Sequence, residues 1–147
     1  VSASPVLLLI GLAASFLLFR FFPIPLVISQ PAETILLVVG ILFMTGGTFL
    51  AFAAQRVSRV VTNPKYKATC PDLMQGPYAY SRHPGTLSLM LMYLGFTFIV
   101  NSFVMLGLAL ALILSLTFFF VPEQEKVIAS LCPEAYAEYK TRVRMWL

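Results

Sequence analysis

Between residues 34 and 54, and again between residues 84 and 121, the chain contains no charged residue. A helix needs about 20 apolar residues to cross the hydrocarbon core of a bilayer. Runs of this length dominate a chain of 147 residues, in which 59% of residues are hydrophobic and 11% charged. Soluble domains carry roughly 25% charged residues, and a chain this small has too little interior to hide so much apolar surface from water. Composition therefore argues against a soluble globular enzyme and excludes intrinsic disorder. The expectation is a single all-α, polytopic membrane domain with about four transmembrane helices, a cytoplasmic loop and C-terminal interfacial helices.

The spans are placed at 6–22, 34–54, 85–100 and 102–121. Pro23 and Pro25 close the first, which reads as a retained span and not a cleaved signal. Gln55 and Arg56 stop the second, and Pro122 follows the fourth. Asn101 is the single polar break between the last two, which predicts a tight helical hairpin. Arg56, Arg59, Lys65, Lys67 and Arg82 lie in the loop 56–84, and Lys126, Lys140, Arg142 and Arg144 in the tail 122–147. The positive-inside rule puts both segments, and both termini, on the cytoplasmic side. Gly40, Gly46, Gly47 and Ala51, with Gly107 and Ala111, are the expected sites of close helix packing.

The net charge of +4 suits anionic lipid headgroups; no basic run interleaved with aromatics points to nucleic acid. Cys70 and Cys132 allow one disulfide and no cysteine-based metal site. His83 is the sole histidine, which excludes a multi-histidine metal centre.

Polarity gathers in two places. The first is a proline-rich, turn-forming loop that ends in Gly76-Pro77-Tyr78-Ala79-Tyr80-Ser81-Arg82-His83-Pro84. Pro84 suits the first turn of the third span, where free N–H groups favour an anionic ligand group. The second is the tail, divided by Pro133. It is read as a helix from Glu123 to about Leu131 and another from Glu134 to Trp146. Tyr136, Tyr139 and Val143 make an apolar face at 3–4 spacing. Glu125 sits beside the apolar stripe of the first tail helix, and Arg142 borders the face of the second. Taken singly, each of these residues is as well explained by a turn, an interfacial aromatic or a solvated charge. Their conjunction is more specific.

That conjunction resembles the isoprenylcysteine carboxyl methyltransferase and phospholipid methyltransferase superfamily of integral membrane enzymes. The family pattern is Gly-Pro-Tyr-x-x-x-Arg-His-Pro-x-Tyr-x-Gly, a helical hairpin, then Glu-Glu-x-x-Leu and a Tyr-x-x-Tyr tail. Residues 76–84 match its first part. Gln124-Glu125-Lys126-Val127-Ile128 and Tyr136-Ala137-Glu138-Tyr139 stand for the second, so the likeness covers about residues 60–147. Thr86 and Ser88 depart from the Tyr and Gly, Gln124 from the first Glu, and Cys132-Pro133 from the usual Phe-Gly.

The resemblance implies S-adenosylmethionine as methyl donor, with S-adenosylhomocysteine as product, held between loop and tail. Tyr80, Arg82, His83 and Pro84 would form one wall, with Tyr78 and Tyr136 beside them. Glu125 would accept hydrogen bonds from the ribose hydroxyls or amine, and Arg142 or Arg144 would close the site. Arg82 and His83 are the candidate catalytic residues. The acceptor is expected to be lipophilic, a carboxylate such as isoprenylcysteine, with a phospholipid amine or thiol as alternatives. A carboxylate nucleophile is ionised at neutral pH and needs no base, and Arg82 could hold it bidentately. An amine would need a proton acceptor, for which His83 is the candidate. The competing readings are a nicotinamide-dependent reductase of the related sterol and isoprenoid group, and a non-catalytic membrane protein.

Overall fold

The computed structural model describes Ile10, Ala13, Ala14, Leu17 and residues 20–22, 24–61 and 74–146. The described residues are helical apart from turns, short extended stretches and one isolated pairing of Pro25 with Ser102. Most of the predicted first span, and Lys65, Lys67, Cys70 and Asp72, lie outside them. Of that span, Ile10, Ala13, Ala14, Leu17, Arg20 and Phe21 are helical.

Helix α1 runs Gln30–Val61, with 32 residues and a length of about 48 Å. It does not stop at Gln55 and Arg56 as expected. Charge ends a membrane span but not a helix, because glutamine and arginine are good helix formers and the backbone bonds are internal. The last turns therefore project beyond the apolar stretch. A short 3-10 turn, Gly76–Ala79, leads to helix α2, Pro84–Val100. Gly76 sits at φ +55, a conformation open chiefly to glycine, and this kink starts the turn.

Helix α3 runs Phe103–Ser115 and helix α4 runs Val121–Leu131. A wider π turn, Leu116–Phe120, joins them without a break. The expected stop before Pro122 is not seen. Proline cannot donate the next helical bond and its ring crowds the preceding turn. The π turn absorbs both effects, with the Val121 N–H bonding back to the Leu116 carbonyl. The rod thus carries an apolar span directly into the Glu125 helix. Helix α5, Pro133–Arg142, is shorter than the expected 134–146. Val143 turns extended (φ −115, ψ 130), and the chain doubles back over the loop.

Two helices, residues 30–58 within α1 and the α3–α4 rod over 103–130, are long and apolar enough to cross a membrane. Only 11% and 22% of their most apolar windows are buried within the protein, whereas a soluble core helix would hide most of its length. Ile35, Leu42, Phe49, Phe52, Phe103, Leu114, Phe118 and Phe119 are all exposed. Helix α2, with 17 residues, falls short of that length.

Helices α1 and α2 pack antiparallel through small residues seven apart. A Cβ at Gly40 would lie 2.8 Å from the Gly95 carbonyl oxygen, and one at Gly47 would lie 2.9 Å from the Ser88 carbonyl oxygen. Gly46 and Gly107, also expected at contacts, would have open space around a Cβ. They lie on the outer faces. Gly95, not anticipated as a packing residue, is the centre of the seam.

The far end of the α2–α3 hairpin is held by Asn101, in the left-handed conformation (φ 52, ψ 49). Its Oδ1 accepts from the Leu26 and Val27 N–H groups, each at 3.0 Å, and its Nδ2 donates to the Val27 carbonyl at 2.8 Å. One side chain thus ties Leu26 and Val27 to the hairpin. Asn101→Ala should lower stability by about 2 kcal/mol through lost hydrogen bonds and left-handed strain. Asn101→Gly, which tolerates the backbone, should lose less. Denaturant titration of helicity in detergent measures both.

Candidate functional site

At the opposite end from Asn101, the loop, α4 and the returning tail converge on Glu125. The convergence has local causes. Pro84 starts α2 and is fully buried, so His83 is fixed as its N-cap residue. The 3-10 turn is braced by the end of α1, where Val57 meets Gly76 and Ser58 bonds the Tyr78 side chain. Tyr136, Tyr139 and Val143 are buried together with Ile128 and Ala129 against them, which docks α5 on α4. The Tyr139 hydroxyl donates to the Tyr78 carbonyl at 2.7 Å. The tail then crosses the loop: the Arg82 N–H donates to the Arg144 carbonyl at 3.1 Å, and the Ser81 hydroxyl to the Met145 carbonyl at 3.1 Å. The Trp146 ring lies 6.3 Å from His83.

Glu125 is the hub. Its Oε1 is 2.7 Å from Arg82 Nη1 and 3.3 Å from His83 Nε2, and its Oε2 is 3.2 Å from Lys140 Nζ. The Arg82 side chain is only 9% exposed. Nη1 is ion-paired with Glu125, the Tyr136 side chain interacts with both Glu125 and Arg82, and Arg82 Nε is buried without a hydrogen-bond partner. Buried donors are nearly always satisfied. An orphaned Arg82 Nε beside an ion-paired carboxylate makes this a place where a ligand acceptor atom would be held tightly.

Burial holds the His83 pKa below its ordinary value, against the opposing pull of Glu125. The ring is therefore neutral at pH 7, with Nε2 facing Glu125 and the side chain also bonded to Gln124. Burial, with Tyr78 and Tyr136 adding to it, pushes the Tyr139 hydroxyl up to about 12, so it stays a donor to the loop. The unfolded chain binds a proton at the ordinary imidazole pKa near 6.5, whereas the folded chain does so only at lower pH. Acid thus favours the unfolded state. The stability contributed by neutral His83 is complete above pH 6.5 and declines as pH falls below it. His83→Gln should flatten this decline, as read from unfolding midpoints between pH 7.5 and 5.

The structure brings Arg82, His83, Glu125 and Tyr136 together, with Pro84 and Tyr78 as buried or half-buried supports. Tyr80 is 75% exposed and does not form a wall of this cluster. Arg142 pairs with Glu138 at 2.6 Å, one turn away on the exposed face of α5. Arg144 enters through its backbone carbonyl, and its side chain is on the exposed side. The helix ends at Arg142, so neither arginine is carried to the face that the longer predicted helix would have given it. Lys140 was missed. It lies one residue beyond Tyr139, and a charged residue next to a buried face reads as solvent-exposed until the partner helix is placed. Ser81 was also missed, because it works through a bond to the backbone that has no sequence signature; Trp146, read from the sequence as a packing residue, lies against His83. Cys132, at the joint between α4 and α5, is disulfide-bonded.

No family model, curated protein or solved structure matches this chain.

Proposed function

We propose that the chain is a multi-pass membrane methyltransferase that takes S-adenosylmethionine and acts on a lipophilic acceptor, most simply a carboxylate such as that of a prenylated cysteine. One observation carries the reading: a mostly buried carboxylate, Glu125, between Arg82 and His83, with the Arg82 Nε left unpartnered beside it, at the end of helices with apolar outer faces. In this reading the first apolar run, α1, α2 and the α3–α4 rod are the four spans. The site lies at the cytoplasmic face, where the end of α1 carries Arg56 and Arg59.

The residues fit the group. Glu125 offers acceptor oxygens for an ammonium or ribose hydroxyls. The free Arg82 Nε suits a carboxylate oxygen. When bound, S-adenosylmethionine supplies an electrophilic methyl group on a sulfonium. The protein's part is to hold both reactants in line. Arg82 orients a carboxylate. His83, neutral at working pH, can accept a proton from an amine or thiol acceptor. The apolar outer faces admit the lipid tail from the bilayer while its head reaches the cluster.

Calorimetry of S-adenosylhomocysteine with the detergent-solubilised full chain tests the reading. Saturable binding is expected, and no heat at millimolar ligand would overturn it. Turnover should favour prenyl- or acyl-tailed acceptors over water-soluble ones. A second reading has its own observation: both Glu125 oxygens are already engaged by protein groups, as in a structural latch of a non-catalytic membrane protein. The same titration separates the two.

A further inference from the structure

We propose that Lys140 is a built-in stand-in for a ligand ammonium: it occupies the Glu125 oxygen that an α-amino carboxylate ligand would claim, and gives way when that ligand binds. The inference rests on the reading above and specifies which end of the ligand meets Glu125.

The two oxygens of Glu125 are held very differently. Oε1 faces Arg82 and His83, both buried and both fixed at the start of α2. Oε2 faces Lys140, from a side chain that is 55% exposed. A buried cation cannot leave its carboxylate without losing its only charge partner. An exposed ammonium on a flexible stem can, because water takes it back and exposed pairs contribute little. Only the Lys140 contact is therefore exchangeable.

The surrounding groups specify what exchanges for it. Arg82 Nε is buried and unpartnered, and it belongs to a side chain held at Glu125 together with Tyr136. It calls for an anionic acceptor. With His83 neutral, Arg82, Lys140 and Glu125 together carry an excess of positive charge. A ligand bearing only a carboxylate would satisfy that donor and leave Lys140 in place. Either ligand leaves the cluster neutral, but only one with an ammonium on the same carbon as its carboxylate also competes with Lys140 for Oε2. The α-amino carboxylate of an S-adenosyl compound has this pairing.

The test is calorimetry of wild-type, Lys140→Met and Lys140→Arg full-length chains in detergent against S-adenosylhomocysteine and its analogue lacking the α-amino group. Trp146 fluorescence is a parallel readout, since this is the sole tryptophan and it lies beside His83. Lys140→Met should raise the preference for the amino compound over its analogue by about fivefold, the scale of one exposed ion pair, and Lys140→Arg should behave as wild type. In the wild-type chain, acetic anhydride should label Lys140 faster once S-adenosylhomocysteine is bound, because its ammonium has been released. An unchanged preference, or protection of Lys140 by the ligand, would overturn the stand-in role while leaving the methyltransferase reading intact. Failure of wild type to bind either compound would overturn that reading and this inference together.

Discussion

Glu125→Ala should destabilise the protein by about 3–5 kcal/mol, the range for removing one partner of a buried ion pair, and should abolish binding of adenosyl ligands. The reason lies in Arg82. Its guanidinium side chain is 9% exposed and Glu125 is its counter-charge. Without that carboxylate, a buried cation whose Nε is already unsatisfied has no counter-charge among the described residues. Glu125→Gln should be milder for stability, since the amide still offers an acceptor oxygen, and should bind an adenosyl ligand weakly. The decisive comparison is the double variant Arg82→Met, Glu125→Leu. Replacing both charges by apolar groups of similar size is often neutral or stabilising, so the double variant should recover most of the stability lost by Glu125→Ala while binding nothing. Unfolding titrations in detergent and calorimetry separate the two effects. If Glu125→Ala were as stable as wild type, the cluster would be a solvated surface network and the site would lose its foundation.

Gly95→Ala should be the most damaging single methyl addition in the apolar region. Its Cβ would sit 2.7 Å from the Gly40 carbonyl oxygen and 2.8 Å from the Met44 nitrogen. Both obstacles are backbone, so no rotamer change relieves the clash and α1 and α2 must separate. Overpacking of this kind costs about 1–3 kcal/mol, and the upper end is expected because helix association in an apolar solvent depends on close van der Waals fit. Gly46→Ala is the control. Its Cβ would meet nothing within 4 Å, so stability should stay within about 1 kcal/mol of wild type and can rise through better helix propensity. The site supplies a second readout. Helix α2 begins at His83, and the end of α1 braces Gly76 and Tyr78. Widening the seam should also weaken ligand binding, although Gly95 lies about 18 Å along the helix from His83.

Helical class was legible because apolar runs this long, interrupted by proline and not by charge, admit few other folds. The hairpin at Asn101 was legible for the same reason: it is the single polar residue between two spans. The tyrosine face of α5 followed from 3–4 spacing, and Tyr136, Tyr139 and Val143 are indeed buried. Helix ends were less legible. Proline predicted a stop at Pro122, but a single π turn carries the helix through it, because the missing N–H is tolerated where the turn widens. Small residues were visible along the spans, yet Gly40, Gly47 and Gly95 pack while Gly46 and Gly107 do not. Facing is a property of helix pairs, not of one helix.

Composition and local chemistry determined, without any coordinates, that this chain is helical and apolar and that its polar residues concentrate in one loop and one tail. Local rules reach that far because backbone hydrogen bonding, helix propensity and hydrophobic patterning act over one or a few turns. The tertiary structure alone decided that Glu125 meets Arg82 and His83, that Lys140 and not Arg142 reaches it, and that Trp146 folds back over the imidazole. Those contacts join residues as far as 63 positions apart. Their geometry depends on the rotation of α4 beyond the π turn and on where α5 ends, quantities to which a sequence period is blind.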